Sequence, residues 1–367
     1  MVDIIRFSIP FLIFIPFASM IIITKYILDN YDIIQEFLVY NKYYQYGLLF
    51  IILLLIYILC SFVLSGFVIW SYKPKLSYPY ENISNRGERI SFPENTIESI
   101  KRALNGGAQV VLIDIQLTKD KKVVLIRNED LSSIGGNYSG KIKNLNYSEL
   151  PKLVLTEKQK GLLQNSKIDE DQLQIPLLDE IFKEFPDIPF ILNFVSDSTE
   201  LVDIVNELIK EYDRESITIW GSFDHEKIGR YLFETNKKIP LFFSWSRIVR
   251  IVFYDFIGAL PFININESVL ISRNIKKYSF LKYKLNMHMN ARGIPVFVFS
   301  NINDITNDIN VLENIRKVRA NGIIADDSRL LTEYLNSVIE KKRKERENHI
   351  NKYTNSQSNI QNNKKMN

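Results

Sequence analysis

A chain of 367 residues has room for one large domain or two ordinary ones. With 46% hydrophobic and 24% charged residues it has the means for a sizeable core, and a net charge of +4 is too small to argue for nucleic-acid binding. The single cysteine, Cys60, excludes an intrachain disulfide and a cysteine-based zinc cluster, and the three histidines, His225, His288 and His349, leave little scope for imidazole chemistry.

The first apolar run, FSIPFLIFIPFASMIIIT (Phe7–Thr24), just reaches spanning length. Pro10 and Pro16 would kink such a span, which membrane helices tolerate. A signal peptide is the alternative; the length of the run and the missing small-residue cleavage site stand against it. The second run, Tyr46–Trp70, has no charged residue and predicts a transmembrane helix, with Cys60 facing lipid or a packing neighbour. Arg6 precedes the first run, and Lys73, Lys75, Arg86 and Arg89 follow the second. Between the runs Lys25 and Lys42 are offset by Asp29, Asp32 and Glu36. This bias favours both termini in the cytosol. The expected organisation is a two-helix membrane anchor over residues 1–75 (spans about 7–24 and 46–70), a folded domain over 76–340, and a disordered, charged and Asn-rich tail over 341–367. An integral protein of an endomembrane, with its folded domain in the cytosol, fits this layout.

Beyond Lys75, short β-branched runs alternate with amphipathic stretches. QVVLIDI (109–115) reads as a buried strand, and KKVVLIRN (121–128) follows after a polar turn. PFILNFV (189–195), SITIW (216–220), IPLFFSW (239–245), IPVFVFS (294–300) and NGIIAD (321–326) repeat the type. Helical patterns lie between, such as 198–215, where Leu201, Ile204, Val205 and Leu208 form an i, i+3, i+4, i+7 stripe, and 303–320. Such alternation predicts parallel strands with helical crossovers, an α/β fold. Roughly eight strands over about 260 residues fit a TIM (β/α)₈ barrel better than an open sheet, and no dinucleotide or Walker loop argues otherwise. The stretch RIVRIVFYDFIGALPFININ (247–266) has two readings. It is a barrel helix with a wide apolar face, or an interfacial segment with Arg247 and Arg250 at lipid headgroups and its aromatics in the acyl boundary.

NRGERISFPENTIESIKRAL (85–104) followed by VLIDIQLTKDKKVVLIRNEDL (111–131) resembles the glycerophosphodiester phosphodiesterase family. The family pattern runs H-R-G, E-N-T, E-x-D-x-x-x-T-x-D, then H-D. Arg86, Gly87, Glu94, Asn95, Thr96, Asp114, Thr118 and Asp120 match it. The stretches QIPLLDEIFKEFPDIP, YDRESITIWGS and IPLFFSW look like its membrane-anchored, lysophospholipase D-type branch. The resemblance extends from about Tyr80 to about Leu335. It implies a barrel with its site at the C-terminal ends of the strands, a divalent cation (Mg²⁺ or Ca²⁺), and a glycerophosphodiester or lysophospholipid substrate.

The departures fall on the chemistry. The family's two catalytic histidines correspond to Asn85 and Arg127, and the Asp after the second to Asn128. Of the metal-binding carboxylates, the first corresponds to Leu112 and the third to Asn193, with Val195 at the position of the following Lys; only Asp114 is kept. Asn does not titrate, and Arg stays protonated, so neither serves as acid or base. Leu112 offers no oxygen to a hard cation. Three functions remain. One is a non-hydrolysing protein that binds an anionic phospholipid or glycerophosphate headgroup through Arg86, Glu94 and Arg127, without a cofactor. Another is an altered phosphodiesterase acting on lysophospholipids, with His225 the substitute candidate. The third is a structural membrane subunit. Asp114 is expected to pair with Arg127 and limit its hold on an anion. Arg86 and Arg127 are expected at the ends of adjacent strands. Trp220 is expected in the core, and His288 on an exposed helix face.

Overall fold

The structure is a computed structural model that describes residues 42–68, 75–133, 140–163, 170–273, 279–300 and 317–365, with positions 25, 26, 73 and 315. The first apolar run, Phe7–Thr24, and most of the helical pattern at 303–320 lie outside the described residues. The chain divides into two compact units. One comprises the chain up to Tyr72 together with Ile251–Ile265, the other Lys73–Arg250 with Asn266–Asn367.

In the first unit, helix α1 (Lys42–Val68) carries no charge after its first residue. Tyr46–Leu64 is long and apolar enough to cross a membrane, and none of it is buried in protein. Among the described residues it is one such helix, so the structure speaks to the second apolar run and not to the first.

The second unit is a TIM-barrel-like fold. Its strands are β1 (Asn82–Asn85), β2 (Val110–Leu117), β3 (Val123–Leu125), β4 (Phe190–Phe194), β5 (Thr218–Gly221), β6 (Leu270–Arg273), β7 (Val296–Phe299) and β8 (Gly322–Ala325). They lie in the order β5-β4-β2-β1-β8-β7-β6, all parallel except β3, which pairs antiparallel with β2. Parallel bridges Trp220↔Leu241 and Phe242↔Val269 insert IPLFFSW between β5 and β6, so that the sheet curls round on itself. The helices after α1 are α2 (Ile97–Asn105), α3 (Glu157–Leu162), α4 (Leu178–Glu184), α5 (Thr199–Glu211), α6 (Glu226–Thr235), α7 (Trp245–Phe256), α8 (Ser279–Ala291) and α9 (Ser328–Lys365).

The period of two along each strand sorts the core into two layers. Val111, Ile113 and Ile115 of β2 face outward and pack with Leu192, Trp220 and the buried faces of α4 and α5. Val110 and Leu112 face inward, with Ile83, Ile191, Ile219, Phe297 and Ile324. The same alternation sets Asp114 on the inward row, one step beyond Leu112 at the C-terminal end of the barrel. In α5, Leu201 and Val205 of the expected stripe are buried, with Val202 and Ile209. Trp220 is core, edge-on to Phe194 at 6.2 Å.

Several expectations change. KKVVLIRN is no barrel strand. The polar turn before it is far shorter than a parallel crossover, so it folds back as β3. Arg86 and Arg127 therefore do not end adjacent strands; each follows a neighbour of β2. Strand β6 gave no clear pattern because Ser272 and Arg273 interrupt its apolar run. His288 lies on α8 half-buried, not exposed. The tail expected to be disordered continues α9 as helix to Lys365. Residues 341–347 are exposed, and i,i+4 pairs such as Arg343–Glu347 and Lys344–Glu340 support the helix there.

Closure at IPLFFSW depends on a close approach. A Cβ on Gly221 would sit 2.8 Å from three atoms of the Phe242 ring, whose backbone bridges to Val269. Gly221→Ala is expected to lower stability by about 1–3 kcal/mol, since overpacking displaces the closing segment. Denaturant titration of the detergent-solubilised chain measures it; an unchanged midpoint would show that Phe242 moves freely.

Candidate functional site

The site forms where β1, β2, β4 and β8 end. Asn85, Asp114 and Asn193 occupy inward positions of β1, β2 and β4, and Asp326 directly follows β8. Arg86 follows Asn85 and turns the chain with φ 63°, its N–H donating to the Leu112 carbonyl at 2.8 Å. Gly87 continues the turn at φ 85°, and a Cβ there would meet Ser99 at 2.3 Å. Asn95, also left-handed at φ 59°, accepts from the Asp114 N–H through Oδ1 at 3.1 Å and so ties this loop to β2. Asn tolerates that backbone region, whereas Arg86 is held there by its surroundings. Thr96 caps α2 in a reciprocal box with Ser99. The matched Thr118 and Asp120 lock the β2–β3 turn, with the Thr118 hydroxyl 2.6 Å from Asp120.

Asp114 is fully buried and contacted from three sides. Arg86 Nε lies 2.6 Å from one carboxylate oxygen. Arg127 Nη1 lies 3.4 Å from the other, which also accepts from Asn193 Nδ2. The expected pair with Arg127 is thus present but secondary, and Arg86 is the close partner. Glu94 takes both oxygens to Arg86 Nη1 at 3.0 Å and also meets Arg89 at 3.4 Å. Arg89 Nε in turn lies 2.8 Å from Asp326, which accepts from Asn85 Nδ2 at 2.8 Å. Burial opposes the charge on Arg86, but Asp114 and Glu94 outweigh it and hold its pKa above the ordinary value. Burial raises the pKa of Asp326, against the pull of Arg89, Asn85 and Arg86. The inner cluster therefore holds three guanidinium groups against three carboxylates.

Sequence reasoning missed Arg89 and Asp326. Both were visible as charges flanking strand ends, in RGER and in NGIIAD, yet neither stands at a matched motif position. Leu112 lies in the apolar barrel interior. Val195 is buried, and its carbonyl meets His225 Nε2 at 2.9 Å. His225 lines a different cleft from Arg127, beside Ser196 and Glu200. A cleft of about 410 Å³ opens beside Arg127 and Asn128, lined also by Arg89, Glu94, Asn95 and Lys158.

A divalent cation does not fit this donor set. On β2 and β4 it would find one carboxylate, Asp114, already paired with Arg86 and Arg127, and the neutral amide of Asn193 directing its N–H₂ at that carboxylate. Hard cations need several oxygen ligands. Among the described residues no three His, Cys, Asp or Glu side chains come together to supply them.

A parallel α/β barrel with its polar cluster at the C-terminal strand ends is the framework on which barrel enzymes carry their sites. Residues 86–330 match the Glycerophosphoryl diester phosphodiesterase family, and the chain belongs to it. The chain is 28% identical over 306 residues to Lysophospholipase D GDPD1 of Rattus norvegicus, covering 77% of this chain and 95% of that protein. It is 25% identical over 277 residues to human Lysophospholipase D GDPD3, covering 69% and 84%. These relatives set it on the lysophospholipase D-type branch. Among solved structures, a phosphodiesterase from Oleispira antarctica in complex with the product sn-glycerol-3-phosphate superposes with a TM-score of 0.53 at 17% identity, covering 73% of this chain and 99% of that one. A glycerophosphoryl diester phosphodiesterase from Silicibacter pomeroyi gives 0.54 at 16% identity, covering 72% and 95%. At that identity the likeness is one of fold.

Two outcomes follow from the donor set. Neither Mg²⁺, Ca²⁺ nor a chelator should shift the unfolding transition, because a ligand stabilises only what binds it; a cation-dependent rise would reveal a metal site. Asp114→Asn should destabilise the barrel by about 3 kcal/mol or more, since it leaves two guanidiniums facing a buried amide. Chemical denaturation reads that loss, and a variant as stable as the wild type would show the pairs to be incidental.

Proposed function

We propose that this protein is a membrane-anchored family member that does not hydrolyse phosphodiesters and instead holds an anionic phospholipid or glycerophosphate headgroup in the cleft over β2. The carrying observation is the Asp114 cluster, in which guanidinium nitrogens occupy the space beside the one retained metal-site carboxylate. Loss of an acid or base role typically costs about 10²–10⁴-fold in rate, and here neither role has a residue.

The inner three guanidiniums and three carboxylates balance, and Asp224 adds a further carboxylate beside Arg127, so affinity for an anion must come from the outer members. Arg127 is the loosest, at 3.4 Å from Asp114 and 3.6 Å from Asp224, against 2.6 Å for the Arg86 pair. An arriving phosphate would recruit Arg127 first, because a guanidinium with long contacts gives up little to make two short ones. Lys158 adds positive charge at the rim. Asn85 keeps a buried Oδ1 with no hydrogen-bond partner, an acceptor suited to a glycerol hydroxyl. The headgroup chemistry named for the relatives, lysophospholipid or glycerol phosphate, is compatible with both features.

Purified full-length protein is expected to release no product from lysophospholipid above a blank, with or without Mg²⁺ or Ca²⁺. Robust metal-dependent turnover would end the proposal. Joint restoration by Asn85→His, Leu112→Glu, Arg127→His, Asn128→Asp and Asn193→Asp should rebuild weak activity, whereas single reversions should not, since these groups act as a unit. Calorimetry with glycerol phosphate in chelator should show binding that weakens about tenfold in Arg127→Ala, near 1.4 kcal/mol for one charge-assisted contact. In Asp114→Asn it should tighten. No binding by the wild type would favour a structural subunit.

A further inference from the structure

The segment Ile251–Ile265 is assigned to the same compact unit as α1, and its surface is unusual. Phe253, Phe256, Ile257 and Phe262 are 58%, 68%, 41% and 46% exposed. The one charged residue in these fifteen, Asp255, is folded away at 4% exposure. A water-facing surface would be expected to show the reverse.

Its contacts are with the apolar helix. Helix α7 ends at Phe256, the chain turns at Gly258 with φ 75°, and a short 3₁₀ turn covers Leu260–Phe262. The Tyr57 hydroxyl donates to the Ile257 carbonyl at 2.7 Å, and the Ser61 hydroxyl donates to the Gly258 carbonyl. The Tyr57 and Phe262 rings stack with centroids 5.9 Å apart. Helix ends leave carbonyls without intrahelical partners, and in hydrocarbon each must be satisfied from within the protein. Tyr57 and Ser61 do this from within the long apolar run of α1. The candidate span ends at Leu64. At 1.5 Å per residue, Tyr57 and Ser61 lie roughly 5–10 Å inside that end. That is the depth at which interfacial segments rest.

We propose that Ile251–Ile265 is a second membrane element, a re-entrant interfacial segment that buries Phe253, Phe256, Ile257 and Phe262 among lipid acyl chains beside α1. The inference rests on α1 crossing the bilayer. It revises the sequence reading in one respect. Arg247 and Arg250 are engaged by Glu267 and Glu226, so apolar side chains rather than arginine–headgroup pairs carry the insertion.

The test uses the full-length chain in phosphatidylcholine vesicles, with Cys60→Ala and single cysteines carrying nitroxide labels. Phe253→Cys, Phe256→Cys and Phe262→Cys probe the segment, Leu53→Cys the span, and Lys210→Cys the aqueous surface of the barrel. Collision with oxygen reports lipid, and collision with a water-soluble nickel chelate reports solvent. The three segment positions should resemble position 53, with an oxygen-to-nickel ratio several-fold above that at position 210. If they resemble position 210 while position 53 remains in lipid, the inference fails and the anchor stands. If position 53 itself collides with nickel, the spanning helix fails. Low collision with both reagents at the segment means that protein covers it, through a second copy or the first apolar run, and this also overturns the proposal. Tyr57→Phe combined with Ser61→Ala should lower the ratio at position 256, because two carbonyls lose their donors.

Discussion

The burial of one carboxylate governs the site. Asp114 sits on a barrel strand with no access to water, and a charge so placed must be paired or it is not tolerated. In a metal-bearing relative a cation could meet that demand. Here Arg86 meets it at 2.6 Å, with Arg127 and Asn193 as further partners. The rest of the cluster adjusts to this choice. Arg86 needs Glu94 to hold its other arm, and Glu94 draws in Arg89. Arg89 then stabilises Asp326, whose second partner is Asn85 at the position of a family histidine. One buried charge thus connects Asn85, Arg127 and Asn193 into a single chain of pairs.

Such a chain explains why the substitutions belong together. A glutamate at 112 would enter the apolar row with Ile83, Ile191 and Ile324 and find no cation there. A carboxylate at 193 would set a second negative charge beside Asp114 while removing the amide donor it uses. The groups present suit one another around a buried carboxylate paired by guanidiniums.

Much of this was legible before the fold was known, and the physical reason is periodicity. The run VVLIDIQL fixes a strand, and its period of two assigns Leu112 and Asp114 to one face. Ordered motif matches then place Asn85 and Arg127 beside them. Legibility ended where position depends on long-range closure. IPLFFSW contributes two bridges rather than a full strand because the chain leaves the sheet to start α7. Strand β6 is too short and too polar at its end to announce itself. Arg89 and Asp326 are 237 residues apart in the chain, and no local pattern pairs them. The helical continuation beyond residue 341 opposes a composition that reads as disorder; propensity and i,i+4 charges decide it locally.

The same reasoning bears on what the cleft offers a ligand. A metal site binds phosphate by a fixed, concentrated charge, so loss of the metal without replacement would leave a carboxylate that repels the substrate. Guanidinium pairing avoids that repulsion: Asp114 is paired internally, and Arg127, whose contacts are the longest, lines the cleft. A neutral cluster with one loosely held cation discriminates weakly between anions by charge alone, because every phosphate monoester meets the same guanidinium. Selectivity must then come from groups that do not ionise. Amides are such groups: Asn95 and Asn128 line the cleft, and Asn85 has a buried acceptor without a hydrogen-bond partner. A buried acceptor left without a donor costs about 1–3 kcal/mol, so a ligand hydroxyl that reaches Asn85 recovers more than a further charge at the screened rim would contribute.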